Sequence, residues 1–258
     1  MPETLSAPPA DHALAAELAV QAGRLLVELR RRSTAAGMDP KAMKDAGDAD
    51  SNKLLLAALE PNVAAGDRVL SEEAKDDLSR LDARRVWIVD PLDGTREFGE
   101  TPRTDWAVHV ALCIDGAPVC GAVALPALDE VFATGGTTVL PDAVDGPPRV
   151  VVSRTRPPAA ATFLAEQIGG VLVEMGSAGA KAMAILRGEV DVYAHSGGQY
   201  EWDSCAPVAV ALGAGLHASR IDGSPLVYNN ADPYLPDLLI CRPELAEASL
   251  AALAAFDG

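Results

Sequence analysis

Apolar residues recur at helical spacing near the start of the chain. From about His12 to Arg31, leucine and alanine return every three or four residues, which predicts an amphipathic helix. A second helix is expected from about Asp50 to Leu59. The segment 41–50 between them is polar, and it is expected to be ordered by something other than apolar packing.

Short apolar runs predict strands between residues 86 and 134. Val86–Val89 is expected to form a buried strand that ends at an Asp-Pro pair. The runs 106–114 and 119–125 alternate at period two around an Asp-Gly pair, which is typical of a β-hairpin. One more strand is expected at 130–134. The first half is therefore predicted to pack helices on an antiparallel sheet.

The pattern changes after the proline-rich stretch 140–148, where strands begin to alternate with helices. This indicates two domains, 1–147 and 148–258, the second of α/β type. Its expected elements are strands at 150–152, 171–175, 190–194 and 238–241, helices at 159–167, 180–187 and 203–212, and a last helix that begins at Pro243.

The chain is acidic, with 37 Asp and Glu against 21 Lys and Arg and a net charge of −16. This argues against nucleic acid as a partner and against a polybasic membrane anchor. No apolar run reaches the ~18 residues of a membrane span. No secretory leader is visible and the four cysteines form no CxxC pairs, so a cytoplasmic protein with reduced thiols is expected.

The most informative segment is Asp90-Pro-Leu-Asp-Gly-Thr95. A strand delivers Asp90, and the turn at Pro91 brings Asp93 back beside it. Two neighbouring carboxylates repel each other unless a cation or proton lies between them. Gly94 and Thr95 are expected to open a short helix whose free amides suit phosphate. The segment predicts magnesium-dependent phosphoryl transfer, although an aspartate-containing turn is the simpler local alternative.

Four other acidic residues, in three segments, are less specific when each segment is taken alone. Glu72 follows a short apolar run, Asp203 lies where a helix should begin, and Asp48 and Asp50 precede the second helix. Helix capping or a solvated surface explains each of them. The four histidines show no ligand spacing and are expected in core or surface roles: His12, His109, His195 and His217.

In combination, these motifs resemble the inositol monophosphatase and fructose-1,6-bisphosphatase superfamily of lithium-sensitive, magnesium-dependent phosphatases. Segment 90–95 matches its central signature and Trp202-Asp203 its second, and the resemblance extends from about residue 12 to 242. The 3'(2'),5'-bisphosphate nucleotidase branch, which is CysQ-like, is the most similar. It shares Arg96-Glu-Phe98, the glycine-rich 176–181 and the 202–207 motif.

The resemblance implies a layered α-β-α-β-α sandwich and two or three Mg²⁺ ions, with Li⁺ as an inhibitor. One ion would be held by Glu72, Asp90 and the Leu92 carbonyl, a second by Asp90, Asp93 and Asp203, and a looser third by Glu72 and Asp50. Asp48 stays open as the alternative to Asp50. Thr95, Glu72 and Asp50 would activate the attacking water.

On the substrate side, the resemblance implies contacts from Gly94, Thr95, Arg96, Ser153, Ser177, Gly179 and Lys181. The implied reaction removes the 3'-phosphate of 3'-phosphoadenosine-5'-phosphate, and also that of 3'-phosphoadenosine-5'-phosphosulfate. Inositol-1-phosphate or fructose-1,6-bisphosphate is the alternative substrate. A haloacid-dehalogenase phosphatase fits poorly, because the aspartates of its motif are two residues apart and those of this chain are three apart. A cation-binding module without catalysis also stays open. A homodimer is among the open oligomeric states.

Overall fold

The computed structural model describes residues 6–136, 138–143 and 145–256, which form two β-sheets and the helices that cover them. The helices are α1 (Pro9–Ala35), α2 (Pro40–Ala64), α3 (Thr95–Gly99), α4 (Ala159–Gln167), α5 (Ala178–Leu186), α6 (Glu201–Gly213) and α7 (Ala246–Ala254). The strands are β1 (Arg68–Ser71), β2 (Arg85–Asp93), β3 (Ala107–Ile114), β4 (Ala117–Leu125), β5 (Glu130–Ala133), β6 (Arg149–Ser153), β7 (Val171–Met175), β8 (Val192–Tyr200), β9 (His217–Ser219) and β10 (Tyr234–Cys241). Short 3₁₀ turns lie at Ser79–Asp82, Pro126–Leu128 and Pro243–Leu245.

Both sheets have five strands. The first has the order β1-β2-β3-β4-β5, and it is antiparallel from β2 to β5, as the sequence predicts. Strand β1 was not expected from the sequence, and it pairs parallel with β2. The second sheet has the order β7-β6-β8-β10-β9, with β7, β6 and β8 parallel and β10 antiparallel to both of its neighbours.

The helices and sheets are stacked in five layers, and three apolar clusters pack between them. Helices α1 and α2 cover one face of the first sheet, where Trp87 and Val110 are buried. Helices α5 and α6 fill the space between the sheets, where Ile88 of β2 and Ile240 of β10 share one cluster with Met183. Helices α4 and α7 cover the outer face of the second sheet. The predicted α-β-α-β-α layering is therefore confirmed.

Strand β2 continues beyond the point where the sequence suggested an end. Asp90 pairs with His109 and Asp93 with Ala107, so three steps along β2 oppose two along β3. This is a β-bulge, which accommodates Pro91 because the extra residue needs no ladder hydrogen bond. In a regular strand, residues three apart face opposite sides, and the bulge removes that restriction.

The polar segment 41–50 is helical, so the second helix begins earlier than the predicted start at about Asp50. Helix α2 begins at Pro40, and the side chain of Asp39 accepts a hydrogen bond from the N–H of Ala42 at 3.1 Å. Proline at the first helical position after an aspartate cap is a strong start signal. The buried face of α2 contains Gly47 and Ser51 between its apolar residues. The hydrophobic pattern alone therefore predicts a shorter helix than the one observed.

The predicted elements of the second half are confirmed with small shifts at their ends. The helix at 159–167 and the strand at 171–175 match, whereas β8 runs on to Tyr200 and β9 was not expected. The domain boundary at residue 147 stays a prediction. Over the described part of the chain, none of the helices combines the length and the apolar character needed to span a bilayer.

Candidate active site

Two carboxylates lie together at the carboxyl end of β1, where that strand stops beside β2. These strands are parallel, with Ser71 beside Val89, so the residues that follow, Glu72 and Asp90, emerge at the same edge. The N–H of Glu72 also donates to the Val89 carbonyl, at 3.4 Å. The sheet register thus brings together two acidic residues that lie far apart in the sequence.

The bulge and helix α6 supply two more carboxylates. Asp93 follows the bulge in β2, and Asp203 lies in the first turn of α6, where it accepts a hydrogen bond from the Tyr200 N–H at 2.6 Å. One oxygen each from Asp90, Asp93 and Asp203 lies within 4.8 Å of the other two. The structure therefore assembles the predicted aspartates from two chain segments, β2 and α6.

The cluster is electrostatically unfavourable without a cation. Burial, and then the neighbouring Glu72, raise the pKa of Asp90 well above its usual range. Burial followed by the charge of Asp93 raises the pKa of Asp203 to about 7. Loss of hydration followed by the charge of Asp203 raises the pKa of Glu72 to about 7 as well. Hard divalent cations relieve such repulsion, so the oxygen set fits Mg²⁺.

Asp93 is the exception within the cluster, because the start of α5 holds it as an anion. Its carboxylate accepts hydrogen bonds from Ser177 Oγ at 2.5 Å and from the N–H groups of Ala178 and Gly179 at 3.1 and 2.7 Å. Burial opposes ionisation, but His109 and these donors keep the pKa of Asp93 below its usual range. A helix N-terminus stabilises a carboxylate in this way.

His109 lies behind Asp93, in the core, and it is fully buried. Its Nδ1 is 3.0 Å from the Trp202 carbonyl oxygen, and its Nε2 is 3.2 Å from Asp93 Oδ2. Both neighbours are acceptors, but Nε2 makes no aligned hydrogen bond among the described residues, so its contact with Asp93 is one of charge and distance. Burial lowers the pKa of His109, but the Asp93 charge outweighs it and the net shift is upward. The expected core role of this histidine thus includes a contact with a predicted metal ligand.

Thr95 and Asp48 form the other side of the site. Thr95 Oγ1 lies 3.1 Å from the Leu92 carbonyl oxygen and 3.4 Å from Asp48 Oδ1. Burial and the charge of Glu73 raise the pKa of Asp48 to about 7.

The structure places Asp48, and not Asp50, within reach of Thr95, while the choice between them at a third metal stays a prediction. Asp50 is exposed, and two residues along an α-helix turn a side chain to nearly the opposite face. The site-facing side of α2 is fixed by Ser51, whose Oγ donates to the Pro91 carbonyl at 2.7 Å. Asp48 is therefore the aspartate of α2 that reaches Thr95.

The predicted substrate residues line a cavity of about 310 Å³ next to the aspartates. Its lining includes Gly94, Thr95, Arg96, Ser153, Ser177 and Lys181, together with Arg154, Arg156, His195 and Gln199. Gly179 does not line it. Of the described guanidinium groups at the cavity, Arg154 pairs with Glu97 and Glu100, while Arg96 and Arg156 form no ion pair.

Three of the predicted substrate residues make their hydrogen bonds within the protein. Ser177 and Gly179 donate to Asp93, as described above. Lys181 is 5% exposed, and its Nζ donates to the carbonyl oxygens of Ser177 at 2.5 Å and Gly176 at 3.4 Å. The contacts of these three residues with substrate stay a prediction. Sequence reasoning did not find His109, Arg156 or Gln199, because nothing local to them signals that they reach the site.

Comparisons with known proteins agree with this geometry. A family model described as the inositol monophosphatase family matches residues 11–255. The 3'-phosphoadenosine 5'-phosphate phosphatase of Mycobacterium leprae (strain TN) is 50% identical over 256 residues, which cover 94% of this chain and 93% of that protein. The 3'(2'),5'-bisphosphate nucleotidase CysQ of Escherichia coli (strain K12) is 30% identical over 191 residues, which cover 70% of this chain and 76% of that protein.

A solved structure also supports a relationship to this family. CysQ from Bacteroides thetaiotaomicron, described as a bacterial member of the inositol monophosphatase family, has a TM-score of 0.77 and 25% identity, covering 91% of this chain and 97% of that chain. The chain belongs to the inositol monophosphatase family. Within that family its similarity is to the CysQ-like branch, so both levels of the predicted resemblance are confirmed. The family is magnesium-dependent, in accord with the aspartate cluster.

Proposed function

We propose that this chain is a magnesium-dependent phosphomonoesterase that removes the 3'-phosphate of 3'-phosphoadenosine-5'-phosphate. The observation that carries the proposal is the convergence of Asp90, Asp93 and Asp203 beside a cavity whose guanidinium groups include two without ion pairs to the described residues. The relatives named for this nucleotide, at 50% identity over most of the chain, support the same substrate.

The metal-holding residues are expected to be those predicted from the sequence. Glu72, Asp90 and the Leu92 carbonyl would hold one Mg²⁺, and Asp90, Asp93 and Asp203 another. Bound Mg²⁺ supplies activation of a water molecule and neutralisation of phosphate charge. A third ion would lie near Glu72 and Asp48, in place of the predicted Asp50.

The protein's own groups supply proton transfer and positioning. The Thr95 hydroxyl lies within reach of Asp48, so it can pass a proton from the attacking water to that carboxylate. A carboxylate within hydrogen-bond reach of the hydroxyl can act as the general base for this transfer. The amides of Gly94 and Thr95 would bind the phosphate that is removed.

The second phosphate of the substrate fits the basic side of the cavity. Arg96 and Arg156 are exposed and lack ion-pair partners among the described residues, and Ser153, the last residue of β6, lines the same cavity. Guanidinium groups bind phosphate with strong, charge-assisted hydrogen bonds. A substrate with two separated phosphates therefore uses this cavity more fully than inositol-1-phosphate, which has one.

The test is a substrate panel with Mg²⁺, with EDTA and with Li⁺. The adenosine 3',5'-bisphosphate should exceed inositol-1-phosphate in kcat/KM by about tenfold or more, the value of one charge-assisted hydrogen bond, and it should also be preferred over fructose-1,6-bisphosphate. EDTA should abolish turnover, and Li⁺ should inhibit it. A preference for either of the other substrates would contradict the assignment.

A folded Asp90→Asn variant provides the control for the chemistry. It should lose turnover while its circular dichroism is unchanged, because the shared metal ligand is removed and a buried repulsion is relieved. The exposed Asp142→Asn variant should behave as wild type. Normal turnover of Asp90→Asn in excess Mg²⁺ would contradict the mechanism. Metal binding without phosphate release in the wild type would favour a cation-binding module.

A further inference from the structure

Two residues of β8 that line the cavity carry buried hydrogen-bond acceptors without partners. Gln199 is 5% exposed and lines the cavity. Its Nε2 donates to Tyr193 Oη at 2.6 Å, and its Oε1 is buried without a partner in the described protein. His195 lines the same cavity, and its Nε2 donates to the Gly197 carbonyl at 2.7 Å. The lone pair is therefore on Nδ1, which is also buried without a partner.

Unpaired buried acceptors are uncommon, because a polar atom that is removed from water without a replacement bond costs free energy. Other such atoms occur elsewhere in the described chain, but only those of His195 and Gln199 belong to residues that line this cavity. Both are acceptors. This points to a ligand that brings hydrogen-bond donors to β8.

The acceptors differ in chemistry from the rest of the cavity lining. Arg96, Ser153 and Arg156 offer donors, which suit phosphate. An amide oxygen and a neutral imidazole nitrogen cannot bind a phosphate dianion, since all of them are acceptors. Burial lowers the pKa of His195 to about 4, so its ring is neutral near pH 7. The end of β8 therefore suits an uncharged donor group, a hydroxyl or an amine.

Gln199 lies next to a residue that contacts the aspartate cluster. It is followed by Tyr200, whose N–H donates to Asp203 Oδ2 at 2.6 Å. Its hydrogen-bond partner Tyr193 has its ring centroid 5.3 Å from Nζ of Lys181, which also lines the cavity. In a ribose 3'-phosphate, the donor nearest to the phosphate under attack is the hydroxyl on the neighbouring sugar carbon.

We propose that Gln199 is a specificity-determining residue whose Oε1 accepts a hydrogen bond from the sugar hydroxyl next to the scissile phosphate. Tyr193 is a positioning residue, because its hydroxyl holds the Nε2 end of the amide and leaves the oxygen for the substrate. This inference rests on the proposed function, since it presumes a ribose 3'-phosphate substrate.

The test compares kcat/KM for adenosine 3',5'-bisphosphate and for its 2'-deoxy analogue, in Mg²⁺. The wild type should prefer the ribose form by about tenfold or more, because the analogue leaves a buried acceptor unpaired. Gln199→Met keeps the length of the side chain without the acceptor, so its preference should fall to within about twofold. Gln21→Met is the matched control, because Gln21 is exposed on α1 and bonds only to Glu17. It should keep the wild-type ratio.

Four results would overturn the inference. The first is equal turnover of the two nucleotides by the wild type, which needs no variant. The second is an unchanged preference in folded Gln199→Met, or in Gln199→Asn if the methionine variant does not fold. The third is discrimination only against inosine 3',5'-bisphosphate, which would assign the donor to the base amine. The fourth is hydrolysis of inositol-1-phosphate with neither nucleotide cleaved, which would overturn the proposed function as well. The first three leave the proposed function standing.

Discussion

The carboxylate of Asp93 accepts a hydrogen bond of 2.7 Å from the backbone N–H of Gly179, 86 residues further along the chain. This contact joins the first sheet to helix α5 of the second half. It orients a predicted metal ligand before any ion binds. It also means that the glycine-rich segment 176–181, which the sequence associates with phosphate, serves an aspartate in this structure.

Position 179 has no room for a side chain, so it requires glycine. A Cβ there would lie 2.1 Å from His109 Nε2. Gly179→Ala should therefore displace His109 or α5, reduce the free energy of unfolding by about 1–3 kcal/mol, and lower kcat. Urea unfolding and steady-state kinetics measure both effects. Gly136→Ala is the matched control, because nothing lies within 4 Å of its added Cβ. Equal behaviour of the two variants would contradict the packing argument.

Asp48 and Asp50 provide a matched pair on one helix. Asp48→Asn should lower kcat by about 10²–10⁴-fold, the usual contribution of a general base, with little change in folding. Asp50→Asn should stay within about twofold of wild type, because its side chain is exposed away from Thr95. Kinetics at saturating Mg²⁺ decide between them. A larger loss in the Asp50 variant would restore the original preference from the sequence.

The metal-free protein should lose stability as the pH rises from about 4 to about 7. Glu72 and Asp203 have a pKa of about 7 in the folded chain, against an unfolded value of about 4. The folded state therefore binds more protons within this window, so the free energy of unfolding falls with rising pH. Asp93 has a lowered pKa, and its stabilising contribution is complete across the window.

Thermal unfolding in EDTA at pH 5 and pH 8 measures this effect. Addition of Mg²⁺ should raise Tm more at pH 8 than at pH 5, because protons no longer compete for the carboxylates. Asp203→Asn should flatten the pH dependence in EDTA. A wild-type Tm that is independent of pH without metal would argue against a repulsive cluster.

Arg156 should discriminate between substrates with one and two phosphates. Its guanidinium lines the cavity and has no ion-pair partner in the described residues. Arg156→Ala should raise KM for adenosine 3',5'-bisphosphate about tenfold, the value of one charge-assisted hydrogen bond. The same variant should change KM for adenosine 3'-monophosphate by less than about twofold. Equal losses on both nucleotides would place Arg156 at the scissile phosphate instead.

The sequence by itself determined the layered fold, most strand and helix positions, and the aspartates at 90, 93 and 203. These features are local, because periodicity, a strand-ending motif and a helix start are all written within a few neighbouring residues. It missed the first turns of α2, because Gly47 and Ser51 interrupt the apolar pattern on the buried face of that helix. It also missed β1, whose pairing with β2 is not a local property.

Only the tertiary structure decided which side chains share the site. The choice of Asp48 over Asp50 depends on which face of α2 packs against the turn at Pro91. The place of His109 depends on the approach of α6 to β3, and the occupation of the α5 N-terminus by Asp93 depends on how the two sheets stack. Such contacts join residues tens of positions apart, and they arise from burial and register, which no short stretch of sequence encodes.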